Sequence, residues 1–432
     1  MIITDKAQIK IAELRESNNL RLSESDELEC YELIESDLKL PADATFTRSS
    51  VAYLSDGTQV AANVPRFEQG KFGKAVMMEE GTTNLLTANQ SDVETDTSGF
   101  GYNLCTLSRD TSLSWHGSAC LKVTINNGAV SSGLYVTTAN ASVIAGENVT
   151  ASAYVRKGQG DYSVRITIEW KNSSGQIIDY VKGVRTPLTE HWQRLTVTGT
   201  APAGTDRVTI TIYTDTTGVA GDYFYVDGWQ VEKKAYPTSW VPGGTTRFRE
   251  TLTIPTAGVL NPQEGTIEFW VKPLVVANYN NFFHMQTSNG RFLLFFGTNF
   301  YSAIFDYGAT NSGVKSSANT ITTNNWYHIV LRWSATTGKQ ALFVNGVKYE
   351  QDLPNGVATS FPATVNIVNT YSAYIDDLRI SNRARSDEEI LTAYQSEQPL
   401  PVDEWTTYKL DFDDKVRITT QGQIICNELI EI

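Results

Sequence analysis

The residues in this sequence best suited to chemistry are aromatic ones on alternating, threonine-rich segments: Tyr154, Trp170, Trp192, Tyr213, Trp229, Trp270, Trp326 and Trp333. An aromatic face stacks on the apolar C–H face of a sugar ring. Tyr154, Trp170, Trp192, Tyr213, Trp229 and Trp326 are therefore candidates for carbohydrate binding. Aromatic residues on strands equally fill the cores of β-sandwiches, so each position carries a packing role as its alternative. Motif-borne chemistry is missing: there is no HExxH, GxSxG elbow, Walker A loop or GxGxxG between strand and helix. The four histidines, His116, His191, His284 and His328, each adjoin an aromatic residue and read as packed. Glycoside hydrolysis needs only two carboxylates flanking a bond, and among 48 acidic residues no pair stands out. The expectation is a protein that is not an enzyme.

The elements that would position these aromatics follow from composition and pattern. The chain has 432 residues, 41% apolar and 19% charged, which suits two to four globular units at roughly 100–200 residues per domain. No run of 18 apolar residues exists to span a membrane, and the first residues lack the charged start and apolar run of a secretory signal. A net charge of -13 opposes nonspecific binding to nucleic acid or to an anionic membrane. Cys30, Cys105, Cys120 and Cys426 are too scattered for a disulfide scaffold or a zinc site and read as thiols. Cys105 and Cys120 remain able to pair if strands bring them together.

Short alternating strands with Gly and Asn turns fill residues 86–243, the pattern of a β-sandwich. Pro242-Gly-Gly is a break, and a second all-β unit follows over 247–396, with Asn345-Gly346 as a hairpin turn. Ser386 and Glu389 form a capping box ahead of one short helix. Residues 1–40 carry ten acidic and five basic side chains. Within them, residues 19–36 align without gaps on residues 415–432. Arg21/Arg417, Cys30/Cys426, Glu32/Glu428, Leu33/Leu429, Ile34/Ile430 and Glu35/Glu431 are identical. Each copy reads as a small β-hairpin, one in 1–40 and one in 397–432, that packs on another protomer or protein. The expected fold is all-β: two tandem β-sandwich (jelly-roll) domains flanked by small terminal β-hairpin segments.

Three stretches carry family resemblances. Trp192-Gln-Arg-Leu-Thr-Val-Thr-Gly with Tyr225-Val-Asp-Gly-Trp-Gln-Val-Glu resembles the carbohydrate-binding modules found beside bacterial cellulases and xylanases, over 86–243. That resemblance implies a structural calcium at Asp227. Gly265-Thr-Ile-Glu-Phe-Trp-Val, Asn325-Trp-Tyr-His-Ile-Val, Leu342-Phe-Val-Asn-Gly and Ile375-Asp-Asp-Leu-Arg-Ile-Ser resemble a concanavalin A-like, laminin G-type jelly roll over 247–396. Asp376 and Asp377 are the positions at which such a domain would hold calcium. Phe46-Thr-Arg-Ser-Ser, Asp56-Gly57, Asn63-Val-Pro-Arg-Phe and Glu80-Gly-Thr-Thr-Asn-Leu-Leu are similar to a leader of bacteriophage tail and fibre proteins, over 41–85. No coiled coil, collagen-like tract or β-helix repeat marks a fibre shaft.

Together these resemblances imply a phage virion structural protein of the tail fibre, baseplate or capsid surface. It would assemble in the host cytoplasm beside other virion proteins, as a homo-oligomer with a trimer favoured, and bind bacterial surface polysaccharide for adsorption. The alternatives are a virion assembly protein without sugar binding, a polysaccharide-degrading enzyme, and a secreted adhesin.

Overall fold

Strand alternation builds the first sandwich. In Ser163–Lys171, Val164, Ile166, Ile168 and Trp170 are buried while Arg165, Thr167, Glu169 and Lys171 stay half-exposed on the other face. The computed structural model describes residues 40–126, 130–215, 217–276, 280–288, 290–296, 299–306, 313–317, 321–353, 356–367, 372–410, 415–416 and 430–431. Ser163–Lys171 belongs to a sheet ordered Ile177–Lys182, Ser163–Lys171, Arg207–Thr214, Gly133–Thr137, Phe100–Asn103, with Thr186–Pro187 beside its second strand. The facing sheet runs Gln193–Thr200, Asn148–Gln159, Tyr223–Glu232, Cys120–Ile125, Cys105–Asp110. Between them lies a core that includes Val123, Leu134, Ile166, Trp170, Phe224 and Trp229.

The second sandwich draws on three stretches of chain. Its seven-stranded sheet is ordered Thr45–Thr47, Thr251–Pro255, Thr364–Ile367, Asn280–Thr287, Gly290–Phe296, Phe300–Asp306, Val314–Lys315. Its eight-stranded sheet is ordered Val347–Asp352, Lys339–Val344, Tyr327–Ser334, Glu264–Pro273, Ala373–Ser381, Lys74–Met78, Arg66–Gln69, with Thr406–Leu410 also on Ala373–Ser381. Phe46, Val76 and Met78 from before the first sandwich, and Tyr408 and Leu410 from after the helix, enter the same core as Phe269, Phe292 and Trp333. The stretch 41–85 is thus structural material of the second sandwich. The first sandwich is inserted into it, and the chain passes in and out at one place, where Thr82–Thr83 pairs antiparallel with Thr246–Arg247.

At that crossing a charge network joins the two units. Arg48 Nη1 donates to Glu250 Oε1 at 2.7 Å, and Arg66 Nη2 donates to Glu79 Oε2 at 2.8 Å and to Glu250 Oε2 at 2.6 Å. Arg247 Nη2 lies 3.1 Å from Glu79 Oε2, and all five side chains have 0% exposure. Ser239, at the end of the first sandwich, accepts from Arg66 Nη1 and donates to Glu79 Oε2, both at 2.5 Å. Burial pushes the Glu79 carboxyl up, but the Arg247 and Arg66 charges outweigh it and hold it at about 2. Asn84 adds a neutral tie: its Nδ2 donates to Ser91 Oγ and to the Trp229 and Val241 carbonyls, and its Oδ1 accepts from Leu86 N and Val231 N.

The helix Asp387–Ser396 begins at the expected capping box of Ser386 and Glu389. Its Ile390 packs on Val330, Ala341 and Phe343 on the outer face of the eight-stranded sheet. A second, unanticipated helix, Ala88–Asp92, is capped in the same way by Thr87 and Gln90. Cys105 and Cys120 are buried thiols at opposite ends of one strand pair, with Cys105 facing Ile125 and Cys120 facing Asp110, and they do not bridge. The expected N-terminal hairpin lies outside the described residues. At the other end Lys415–Val416 pairs antiparallel with Ile430–Glu431. Among the described residues no helix is long and apolar enough to cross a membrane.

Candidate functional site, an open tyrosine face

The outer face of the sheet holding Ser163–Lys171 gathers aromatic rings and hydrogen-bonding groups. Register places Gly101, Tyr135, Thr211 and Thr167 in one row across four strands. The row on one side holds Gly133, Tyr213 and Arg165, and the row on the other holds Thr137, Thr209, Glu169 and Tyr180. Two glycines fix how the rings lie. A Cβ on Gly101 would fall 2.0 Å from Tyr135 Cζ, and one on Gly133 would fall 2.8 Å from Tyr213 Cδ1. The Tyr135 ring therefore lies against Gly101 of the neighbouring strand, while at Gly133 the Ile212 carbonyl oxygen makes the closest approach, 2.1 Å, with Tyr213 next to it. Tyr135 and Tyr213 remain half-exposed, and Tyr180 is 56% exposed.

The electrostatics of this face suit neutral hydroxyl-rich ligands. Burial, with a smaller contribution from the nearby Glu169 charge, pushes the Tyr213 hydroxyl up to about 12, so it stays a donor. Burial also raises the Glu169 carboxyl, against the pull of Lys171 at 3.9 Å. Asp215 is tied to Arg165 at 2.6 Å and Arg185 at 3.4 Å. Thr137 and Thr209 share a hydroxyl hydrogen bond of 2.8 Å. The arrangement offers two half-exposed tyrosine rings with Thr137, Thr167 and Glu169 as half-exposed polar neighbours, while Thr209 and Thr211 are buried beneath them.

Of the aromatics singled out in the sequence, only Tyr213 lies on this face. Trp170 and Trp229 are 2% and 0% exposed in the first core, which gives them a packing role instead of a platform role. Tyr154 is buried because Trp115 stacks on it at 3.7 Å and 11°; Trp192 packs on the same cluster, which also holds Tyr53 and Trp240 at the junction. Trp333 is in the second core and Trp270 is 3% exposed beneath Phe72. Trp326 is half-exposed immediately before the strand Tyr327–Ser334. Tyr135 and Glu169 were missed, although Gly133-Leu-Tyr-Val-Thr137 carries the period of two that places Gly, Tyr and Thr on one face.

The three carboxylates considered for calcium hold loops. Asp227 Oδ2 accepts from Trp115 N at 2.9 Å and His116 N at 3.1 Å, and its Oδ1 accepts from Gly228 N at 2.8 Å. Asp376 Oδ2 accepts from Lys71 N at 2.7 Å and Phe72 N at 3.0 Å. Asp377 accepts from Leu400 N and from Lys409 Nζ. The device repeats between the sandwiches. Each Asp sits opposite an aromatic, Tyr154 or Trp270, just before a bulge residue of positive φ, Gly228 at 56° or Asp377 at 52°. The loop each carboxylate anchors places Trp115 or Phe72 on that aromatic. Among the described residues no three His, Cys, Asp or Glu side chains converge as a metal site.

Residues 248–391, within the second sandwich, match the family model described as the concanavalin A-like lectin/glucanases superfamily. No curated protein matches the chain. Among solved structures, the chain is similar to the CBM22-1 xylan-binding domain of Paenibacillus barcinonensis Xyn10C, at 18% identity and TM-score 0.30, over 36% of this chain and 99% of that one. The tandem CBM22-1–CBM22-2 region of the same protein aligns over 70% of this chain and 98% of that one, at 13% identity and TM-score 0.30. The enzymatically active domain of bacteriophage CBA120 tailspike protein 4 aligns at 11% identity and TM-score 0.29, over 34% of this chain and 21% of that one.

Proposed function

We propose that this protein binds a bacterial surface polysaccharide without cleaving it, through the Tyr135–Tyr213 face of its first sandwich. The observation that carries this reading is the pair of half-exposed rings, Tyr135 lying against Gly101 and Tyr213 beside Gly133, next to Glu169, Thr137 and Thr167. A binding role, as opposed to a hydrolytic one, is supported by Asp215, which is held by two arginines. The particle we infer is a phage virion, on the resemblance of the 41–85 stretch to phage tail leaders. The terminal segments, residues 1–40 and 397–432, would make the contacts to other virion proteins and to sister copies in a trimer. Many copies on one particle would raise weak single-site affinity, because later binding events become intramolecular.

The test is a pull-down of the full chain on intact host cells and on isolated surface polysaccharide, with released reducing sugar assayed in parallel. Binding without sugar release is expected. Sugar release would replace this reading with a depolymerase, and absence of binding would replace it with an assembly protein.

A further inference from the structure

We propose that Trp326, Lys272 and Tyr374 on the second sandwich form a separate carbohydrate site that takes acidic sugars. Lys272 and Tyr374 are a cross-strand pair. Trp326 immediately precedes the strand Tyr327–Ser334, whose Tyr327 pairs with Val271, so Trp326 falls opposite Lys272 on the other side. The Lys272 ammonium lies 5.2 Å from the Trp326 ring centre and 4.2 Å from the Tyr374 ring centre. With neighbouring strands about 4.8 Å apart, the two rings stand roughly 10 Å from each other, roughly the span of two pyranose units.

The cation is what gives the strip its selectivity. Among the described residues no carboxylate lies within ion-pair distance of Lys272, and its contacts are the faces of two rings. The carboxylate whose charge reaches it is Glu68, and both Glu68 oxygens are taken by Ser55, from N at 2.7 Å and Oγ at 2.9 Å. Burial pulls the ammonium down from its ordinary value, so a charged partner would stabilise it. A uronic acid supplies both complements, a C–H face for the rings and a carboxylate for the ammonium. The strip has limits on both sides. Phe72 and Lys71 cover Trp270 on one, and Met77 is buried on the other, towards the Arg66 network. Trp326, Lys272 and Tyr374 between them are half-exposed.

Calorimetric titration of the full chain tests the assignment, using oligomers of galacturonic acid, oligomers of alternating glucuronic acid and N-acetylglucosamine, and neutral xylo-oligosaccharides. Wild type should bind at least one acidic series, more weakly as salt rises. Lys272→Met keeps the stem between the rings and should lose about tenfold in affinity for it, as should Trp326→Ala. Tyr213→Ala should leave acidic binding unchanged, which separates this site from the tyrosine face. No binding of either acidic series by wild type, or equal binding by a Lys272→Met variant with unaltered thermal unfolding, would overturn the proposal.

Discussion

Arg66 and Glu250 stand 184 positions apart in the chain and meet as a two-pronged pair, Nε to Oε1 at 2.9 Å and Nη2 to Oε2 at 2.6 Å, with neither side chain reaching solvent. One comes from a strand ahead of the first sandwich and the other from just behind it. Their contact closes the loop of chain that contains the whole inserted unit.

Breaking that pair on one side leaves a buried charge without its partner. Arg66→Met should cost about 3–5 kcal/mol of stability, and Glu250→Gln a comparable amount. Differential scanning calorimetry should show both variants unfolding at a lower temperature than the wild type, because the pair ties the strand Arg66–Gln69 to the chain entering Thr251–Pro255.

Acid should act through the same network. The Glu79 carboxyl lies near 2 in the folded protein and near 4.5 when unfolded. Its contribution is therefore fully present above about pH 4.5 and is lost as pH falls towards 2. Urea denaturation midpoints for wild type should fall steeply across that window. A Glu79→Gln variant should be less stable at neutral pH and show a shallower fall.

Tyrosine and tryptophan substitutions should separate binding from folding. Tyr135→Ala and Tyr213→Ala should each weaken polysaccharide binding by roughly twofold to tenfold, since an aromatic stack is worth about 0.5–1.5 kcal/mol, with small changes in melting temperature. Trp229→Ala in the core should instead cost about 3–5 kcal/mol of stability. Affinity electrophoresis and thermal denaturation on the same variants read both effects.

Fragments should respect the discontinuous architecture. A piece covering 245–410 lacks Phe46, Val76 and Met78 and leaves two sheet edges unpaired, so it should be aggregated or unfolded by circular dichroism and gel filtration. Residues 40–84 joined by a short linker to 245–410 should restore a folded sandwich, because Thr83 and Thr246 already face each other.

Local patterns made much of this fold legible. Period-two alternation located the strands of both sandwiches, Asn345-Gly346 forms the two-residue turn between Val344 and Val347, and Ser386 with Glu389 caps its helix. What the pattern hid depends on partners distant in the chain. Arg48, Arg66, Glu79 and Glu250 look like solvated charges in one dimension and become buried only because segments about 200 positions apart converge. The aromatics misled for a related reason. Tyr154 faces outward from its sheet as a platform should, yet Trp115 and the neighbouring sandwich cover it. The three aspartates belonged to meaningful motifs, but the backbone amides they hold come from loops that sequence spacing does not reveal.

The adjacency of Thr82–Thr83 and Thr246–Arg247 has a mechanical consequence. Tension applied between Thr45 and Leu410 runs through the sheets of the second sandwich, while the inserted one hangs from a closed neck and carries no load until the arginine–glutamate network fails.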